Sequence, residues 1–173
     1  MRLADFILSN IEPILAEWEI FARSIGAGEH LNQLALRDHA GQILQATARD
    51  MKLPQSAAEQ AKKSKGLDHP QADDALDGAS QLHAVDRLGL GFDLLEVMSE
   101  YRALRASVLR LWHESSPDPD DRDVDDITRF NESIDQSITK AVASYTQVAS
   151  IRLAICSWRY SVTTCAIRST PRG

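Results

Sequence analysis

A chain of 173 residues, 43% hydrophobic and 25% charged with a formal net charge of −6, has room for one folded domain and an appendage, and enough apolar content to bury a core. The negative balance excludes a nucleic-acid-binding surface, which needs clustered Lys and Arg against phosphate, and the short run Lys62-Lys63-Ser64-Lys65 does not reverse it. No apolar run approaches the roughly 20 residues that span a bilayer, and Asp5 stands where a secretory leader is uncharged, so the expected location is cytoplasmic without membrane insertion.

With 8 glycines and 6 prolines, turn-rich β architecture has little support. The first segment, "LADFILSNIEPILAEWEIFARSI", repeats Phe6, Ile7, Ile11, Ile14, Leu15, Trp18, Phe21, Ala22 and Ile25 at intervals of three and four, an amphipathic helical stripe. Pro13 removes a backbone donor, so a kink or two abutting helices is expected near Asn10 to Glu12. Gly26 to Gly28 end the segment. A second helix is predicted from Leu31 to Met51, with Leu34 and Leu36 on its inner face and Pro54 as its stop. "QSAAEQAKKSKG" reads as a short exposed helix ending at Gly66, followed by a loop, "LDHPQADD".

Two more helices are separated by Gly89 and Gly91. The latter carries Leu94, Leu95, Val97, Met98, Tyr101, Leu104, Val108, Leu111 and Trp112 as a continuous buried stripe. After the loop "SSPDPDDRD", a long helix from about Val124 turns Ile127, Phe130, Ile134, Ile138, Ala141, Val142 and Tyr145 inward. Its face with Ser137, Lys140 and Ser144 is expected to be free for a partner helix. No segment alternates with a period of two, so the fold class is all-α, about six helices packed pairwise. Trp18, Phe21, Phe92, Tyr101, Trp112 and Phe130 are its expected buried aromatics.

No nucleophile–base pair, phosphate loop or framed pair of carboxylates stands out. His39 and His83 lie on predicted helices and read as core or boundary histidines satisfied by a neighbour rather than as ligands, so no metal and no cofactor is expected. "EYRALRASVLRLW" sets Glu100, Arg102, Arg105 and Arg110 around one helix. Arg102 and Arg105 could pair with Glu132 and Asp135 of "RFNESIDQ", although charges alone favour a solvated face.

Taken together, "LADFILSN", "EPILAEWEIFAR", "LRDHAGQIL", "QSAAEQAKKSKG", "HAVDRLGLGFDLLEVMSEYRALRASVLRLW" and "DDITRFNESIDQSI" resemble the RsbRD-type N-terminal sensory domain. That family occurs in stressosome co-antagonist proteins and at the front end of bacterial sensor histidine kinases. The resemblance covers about residues 3 to 148 and implies a globin-like helical fold without haem, used as an input module. It also implies that Arg102, Arg105, Glu132 and Asp135 form a coupling network. A haem-binding globin would instead require His39 or His83 as axial ligand.

Residues 151–173, "IRLAICSWRYSVTTCAIRSTPRG", do not belong with this pattern: both cysteines, Cys156 and Cys165, and a run of arginines arrive with no acidic residue. Kinase members of the family continue into a phospho-acceptor segment of the form "RDLFLAVLGHDLRNPLNA". Regrouping the codons, so that each triplet takes one third-position base and the next codon's first two, makes Ile155, Cys156, Ser157, Trp158 and Arg159 permit Asp, Leu, Phe, Leu and Ala. Continued to Pro171, the shifted reading is "DLFLAVLGHDLRNPLNA", with the acceptor histidine on Thr163. The tail therefore reads as a histidine box translated out of frame from about Ser150. The expectation is a 1–150 input domain of a two-component kinase, truncated before its phospho-acceptor and ATP-binding parts. It would be a homodimer without catalysis of its own, whose parent uses ATP and a response regulator. The alternative is a stressosome-like scaffold or co-antagonist module acting by protein–protein binding.

Overall fold

The computed structural model describes residues 1–37, 39–66, 74–115 and 122–168, with side chains through residue 158, those of 27 and 74 apart. The described residues form α1 (Leu3–Ser9), α2 (Ile11–Ser24), α3 (Gln33–Arg37), α4 (Ala40–Lys52), α5 (Ala57–Lys63), α6 (Asp74–Gly89), α7 (Leu94–Ser115) and α8 (Asp123–Arg168), with a 3-10 turn at Gly26–Gly28 and no strand. All-α is therefore the fold class. Among the described residues eight α-helices replace the expected six or so because the first two predicted segments each divide.

The first division falls at Asn10, whose backbone leaves helical geometry (φ −128°, ψ 27°) while its side-chain amide donates to Phe6 O at 2.9 Å. Pro13 then occupies the first turn of α2, where a backbone N–H has no intrahelical acceptor in any case, so the proline starts a helix rather than breaking one. The second division, at His39, resets the helical phase. Leu36 faces the core while Leu34, expected inside, is 81% exposed. Two glycines are fixed by geometry. A Cβ on Gly28 would stand 1.8 Å from Ala22 O, and Gly91 (φ +92°) lets Phe92 N–H reach back to Arg87 O at 2.9 Å, closing α6.

One core joins all the main helices. Ile14 and Trp18 of α2, Ile43 and Leu44 of α4, Leu76 of α6, Val97, Tyr101, Leu104 and Val108 of α7, and Phe130 and Ile134 of α8 are all buried. α1 packs on α4, α2 on α7 and α6 along α8. Trp18, Phe92, Tyr101, Trp112 and Phe130 are buried as expected; Phe21 is half-buried, and Leu95 is exposed because α7 turns that position to solvent.

α8 is 46 residues long, about 70 Å at 1.5 Å per residue, and continues as helix through the stretch read as an aberrant tail. Its anchors near the far end are Tyr145 Oη, donating to Phe92 O at 2.9 Å, and Arg152 Nη1, donating to Leu88 O at 3.3 Å. Residues 151–158 are exposed. The face of α8 expected to be free is instead occupied. Ser137 is fully buried and donates to Ser133 O at 3.0 Å, and Lys140 pairs with Asp77 of α6 at 2.7 Å. α6 packs there, so the solvent side of the helix runs through Asp135, Thr139, Ala143, Thr146 and Ser150. The loops "LDHPQADD" and "SSPDPDDRD" fall largely outside the described residues.

Candidate functional site

Glu132 and Asp135 lie about 60° apart around α8, close enough to share a face, yet each is engaged by a different neighbour. Asp135 turns to α7 and accepts from Arg105 Nη2 in an ion pair that is largely solvent-exposed. Glu132 turns to α5: it is buried, and its Oε1 accepts from Ser64 Oγ at 2.7 Å. Arg102 is exposed and makes no ion pair among the described residues. Of the four residues expected to form one network, Arg105 and Asp135 are joined, Glu132 is engaged by Ser64 instead, and Arg102 stands apart. An exposed pair of this kind contributes roughly 0–1 kcal/mol.

The stronger polar grip on α8 comes from residues that look unremarkable in the sequence. Asp50, on the last turn of α4, is buried, and its Oδ2 accepts both from the buried Lys63 Nζ of α5 and from Ser133 Oγ of α8, the latter at 2.5 Å. Arg129, one turn earlier on α8, donates to Asp50 O at 2.7 Å and Leu53 O at 2.8 Å. One carboxylate thus ties three helices. α5 itself starts on a capping box: Ser56 Oγ accepts from Glu59 N–H, and the Glu59 carboxylate accepts from Ser56 N–H at 2.7 Å. That S-x-x-E signature was legible as a helix start. The inward turn of Lys63 was not, since a run of lysines ordinarily marks a solvated face.

A second buried cluster sits at the centre of the body. Glu100, the one acidic residue of α7 that points inward, has a fully buried carboxylate. Both its oxygens accept from Arg87 Nε at 2.9 Å, and Oε2 also accepts from His83 Nε2 at 3.1 Å. The Arg87 guanidinium continues to Ala35 O at 2.9 Å and Leu36 O at 2.6 Å, closing the end of α3, and lies over the Phe92 ring at 4.8 Å. Trp18 Nε1 donates to Glu100 O at 3.2 Å, and Tyr101 meets the edge of His83 with centroids 5.6 Å apart. Burial pushes the Glu100 carboxyl up, but the hydrogen bonds and charges of His83 and Arg87 outweigh it and hold it below its usual range. Burial pushes the Tyr101 phenol up.

Arg87, His83 and Glu100 bind α3, α6 and α7 into one unit, and His83 is the satisfied core histidine its surroundings suggested. His39 lies with Nδ1 3.6 Å from Asp86. Beside the cluster is a cavity of about 10 Å³ lined by Trp18, Ala40, Ile43, His83, Glu100, Tyr101 and Leu104, room for one water-sized molecule. Among the described residues, no three His, Cys, Asp or Glu side chains are grouped to hold a metal ion. No described helix is long and apolar enough to cross a membrane. The two clusters tie α3, α6 and α7 together and hold α8 against α4 and α5.

Comparison with known proteins finds no matching family model, no matching curated protein and no matching solved structure.

Proposed function

We propose that residues 1–150 are the signal-input domain of a two-component sensor histidine kinase, globin-like in fold, with α8 as the element that carries the signal out. The observation that carries this reading is the tail. Seventeen shifted triplets, set at two of three bases by Ile155 to Pro171 except for the choice of codon family at three serines and two arginines, accommodate an uninterrupted histidine-box segment. Any one residue tolerates only a minority of dinucleotides, so accidental agreement over that run is very improbable. The lie of α8 supports the reading. It is gripped from residue 126 to the Tyr145 and Arg152 anchors and then leaves the body, with Ile151, Ile155 and Trp158 exposed along one face of the helix and Leu153 on the other.

On this reading the parent protein autophosphorylates with ATP and hands the phosphoryl group to a response regulator. It does so as a two-fold dimer through the continuation of α8. The present chain, with its continuation miscoded, pairs weakly and has no catalysis of its own. The Arg105–Asp135 pair and the Ser64–Glu132 bond set the rotation of α8 and so couple input to output. A scaffold module of the stressosome kind would continue into a phosphorylatable α/β domain instead, which the shifted tail disfavours.

The test is to restore the reading frame together with its downstream coding sequence and incubate with labelled ATP. The restored protein is expected to incorporate acid-labile phosphate, and the 173-residue chain none; Arg105→Ala in the restored protein should fold and alter the labelling rate. A restored protein that never labels contradicts the kinase assignment, and an Arg105→Ala rate equal to wild type contradicts the coupling role.

A further inference from the structure

We infer that α5 is a detachable latch on α8, docked by a polar clasp rather than by apolar burial. α5 has seven residues, too few to hold a helix by itself in water. Ala57, Ala58 and Ala61 are exposed, and its one buried residue is Lys63. The capping box of Ser56 and Glu59 favours the helical conformation of α5 but contacts nothing outside it. What docks the segment is Lys63 on Asp50 and Ser64 Oγ on Glu132 Oε1 at 2.7 Å.

Such a clasp sits near balance. Burying the Lys63 ammonium and the Asp50 carboxylate costs much of what their attraction returns, whereas an apolar anchor would have no competing gain in water. Release has a consequence for α8, because the Asp50 oxygen that loses Lys63 is the one bonded to Ser133, and the same α4 turn receives both hydrogen bonds of Arg129. A buried carboxylate left with a hydroxyl alone draws in water or shifts toward it, and the α8 segment from Arg129 to Ser133 must adjust. By linkage, moving that segment loosens α5 to the same degree. The polar contacts through Asp50 and Glu132 therefore report the state of α5 to the long helix, while Phe130 and Ile134 keep α8 seated in the core. This goes beyond the kinase reading, since the clasp would act on α8 whatever follows it, and its failure would leave that reading untouched.

Hydrogen exchange of the full chain, read by mass spectrometry, tests it with Lys63→Met, which keeps the length of the side chain and removes its charge. The expected result is that amides of residues 57–66 exchange about tenfold faster or more, those of 129–137 also accelerate, and those of α1, α2 and α7 keep their wild-type rates. Unchanged exchange in α5 overturns the clasp. Faster exchange in α5 with wild-type rates at 129–137 overturns the coupling. Should Lys63→Met unfold the whole chain, Ser64→Ala decides by the same criteria, with about fivefold acceleration expected in α5 because it removes the hydroxyl that bridges Gln60 O and the Glu132 carboxylate while leaving the Lys63–Asp50 pair in place.

Discussion

Glu100 is the residue on which the body most depends. Its buried carboxylate accepts from Arg87 and His83, and its backbone carbonyl accepts from the Trp18 ring N–H. Replacing it by alanine leaves Arg87 buried without its counter-charge, which costs about 3–5 kcal/mol by the general behaviour of broken buried pairs. Urea denaturation would read this as a large fall in midpoint. The pH dependence follows from the direction of its shift. Its folded value lies below the ordinary 4.5, so its contribution is complete above that value and is lost as pH falls through the lower folded one. Wild type should therefore lose stability below about pH 4.5 more steeply than Glu100→Gln; parallel acid profiles would contradict the role of the charge. None of this was legible in the sequence, where Glu100 stands among Arg102, Arg105 and Arg110 and reads as a member of a solvated face. The same holds for Lys63 within its lysine run. A charged side chain betrays burial only through its partners, and Arg87 and Asp50 lie on other helices, at separations no helical period marks. The four residues singled out by charge were located correctly on their helices. Only Arg105 and Asp135 meet, because each helix face sees more than one neighbour.

At the scale of elements, apolar spacing carried most of the information. The stripes of α2, α4, α7 and α8 were readable, because burial of one helix face imposes a period of 3.6 that needs no knowledge of the partner. The division at Asn10 was readable too, from Pro13. The division at His39 was not, since no proline or glycine marks it at the joint, and Leu34 was placed inside as a result. The free face of α8 was misplaced for a related reason: Ser137 and Lys140 are polar, yet α6 packs over them, its Asp77 pairing with Lys140 and accepting from Gln136 Nε2. These assignments make α8 a helix with two regimes, one gripped and one bare. Ile134→Ala, which hollows the core, is expected to cost about 2–5 kcal/mol. Ile155→Ala, on the exposed stretch, should stay within about 0.5 kcal/mol. Thermal or urea unfolding of both variants checks the contrast, and an equal loss in the two would mean that the far end of α8 is packed against something in solution.

For the molecule as a whole, an all-α body with a rigid charged centre holds one end of a helix about 70 Å long, and the other end runs past it. On the reading proposed above, such a body passes a signal by changing how it holds that helix, whether through the Asp50 clasp or through Arg105 and Asp135. The helical continuation of the odd tail fits both its present coding and a miscoded dimerisation helix, so shape alone does not choose between them. The coding sequence does. The decisive measurement is the nucleotide sequence from codon 150 onward with several hundred bases downstream. The account predicts that Val162 is encoded GTC and Thr163 ACG, so that the shifted frame reads His-Asp, and that this frame runs open through the whole box into an ATP-binding domain. A different third base at either codon, or a stop soon after the box, would contradict the assignment of this chain to a sensor histidine kinase.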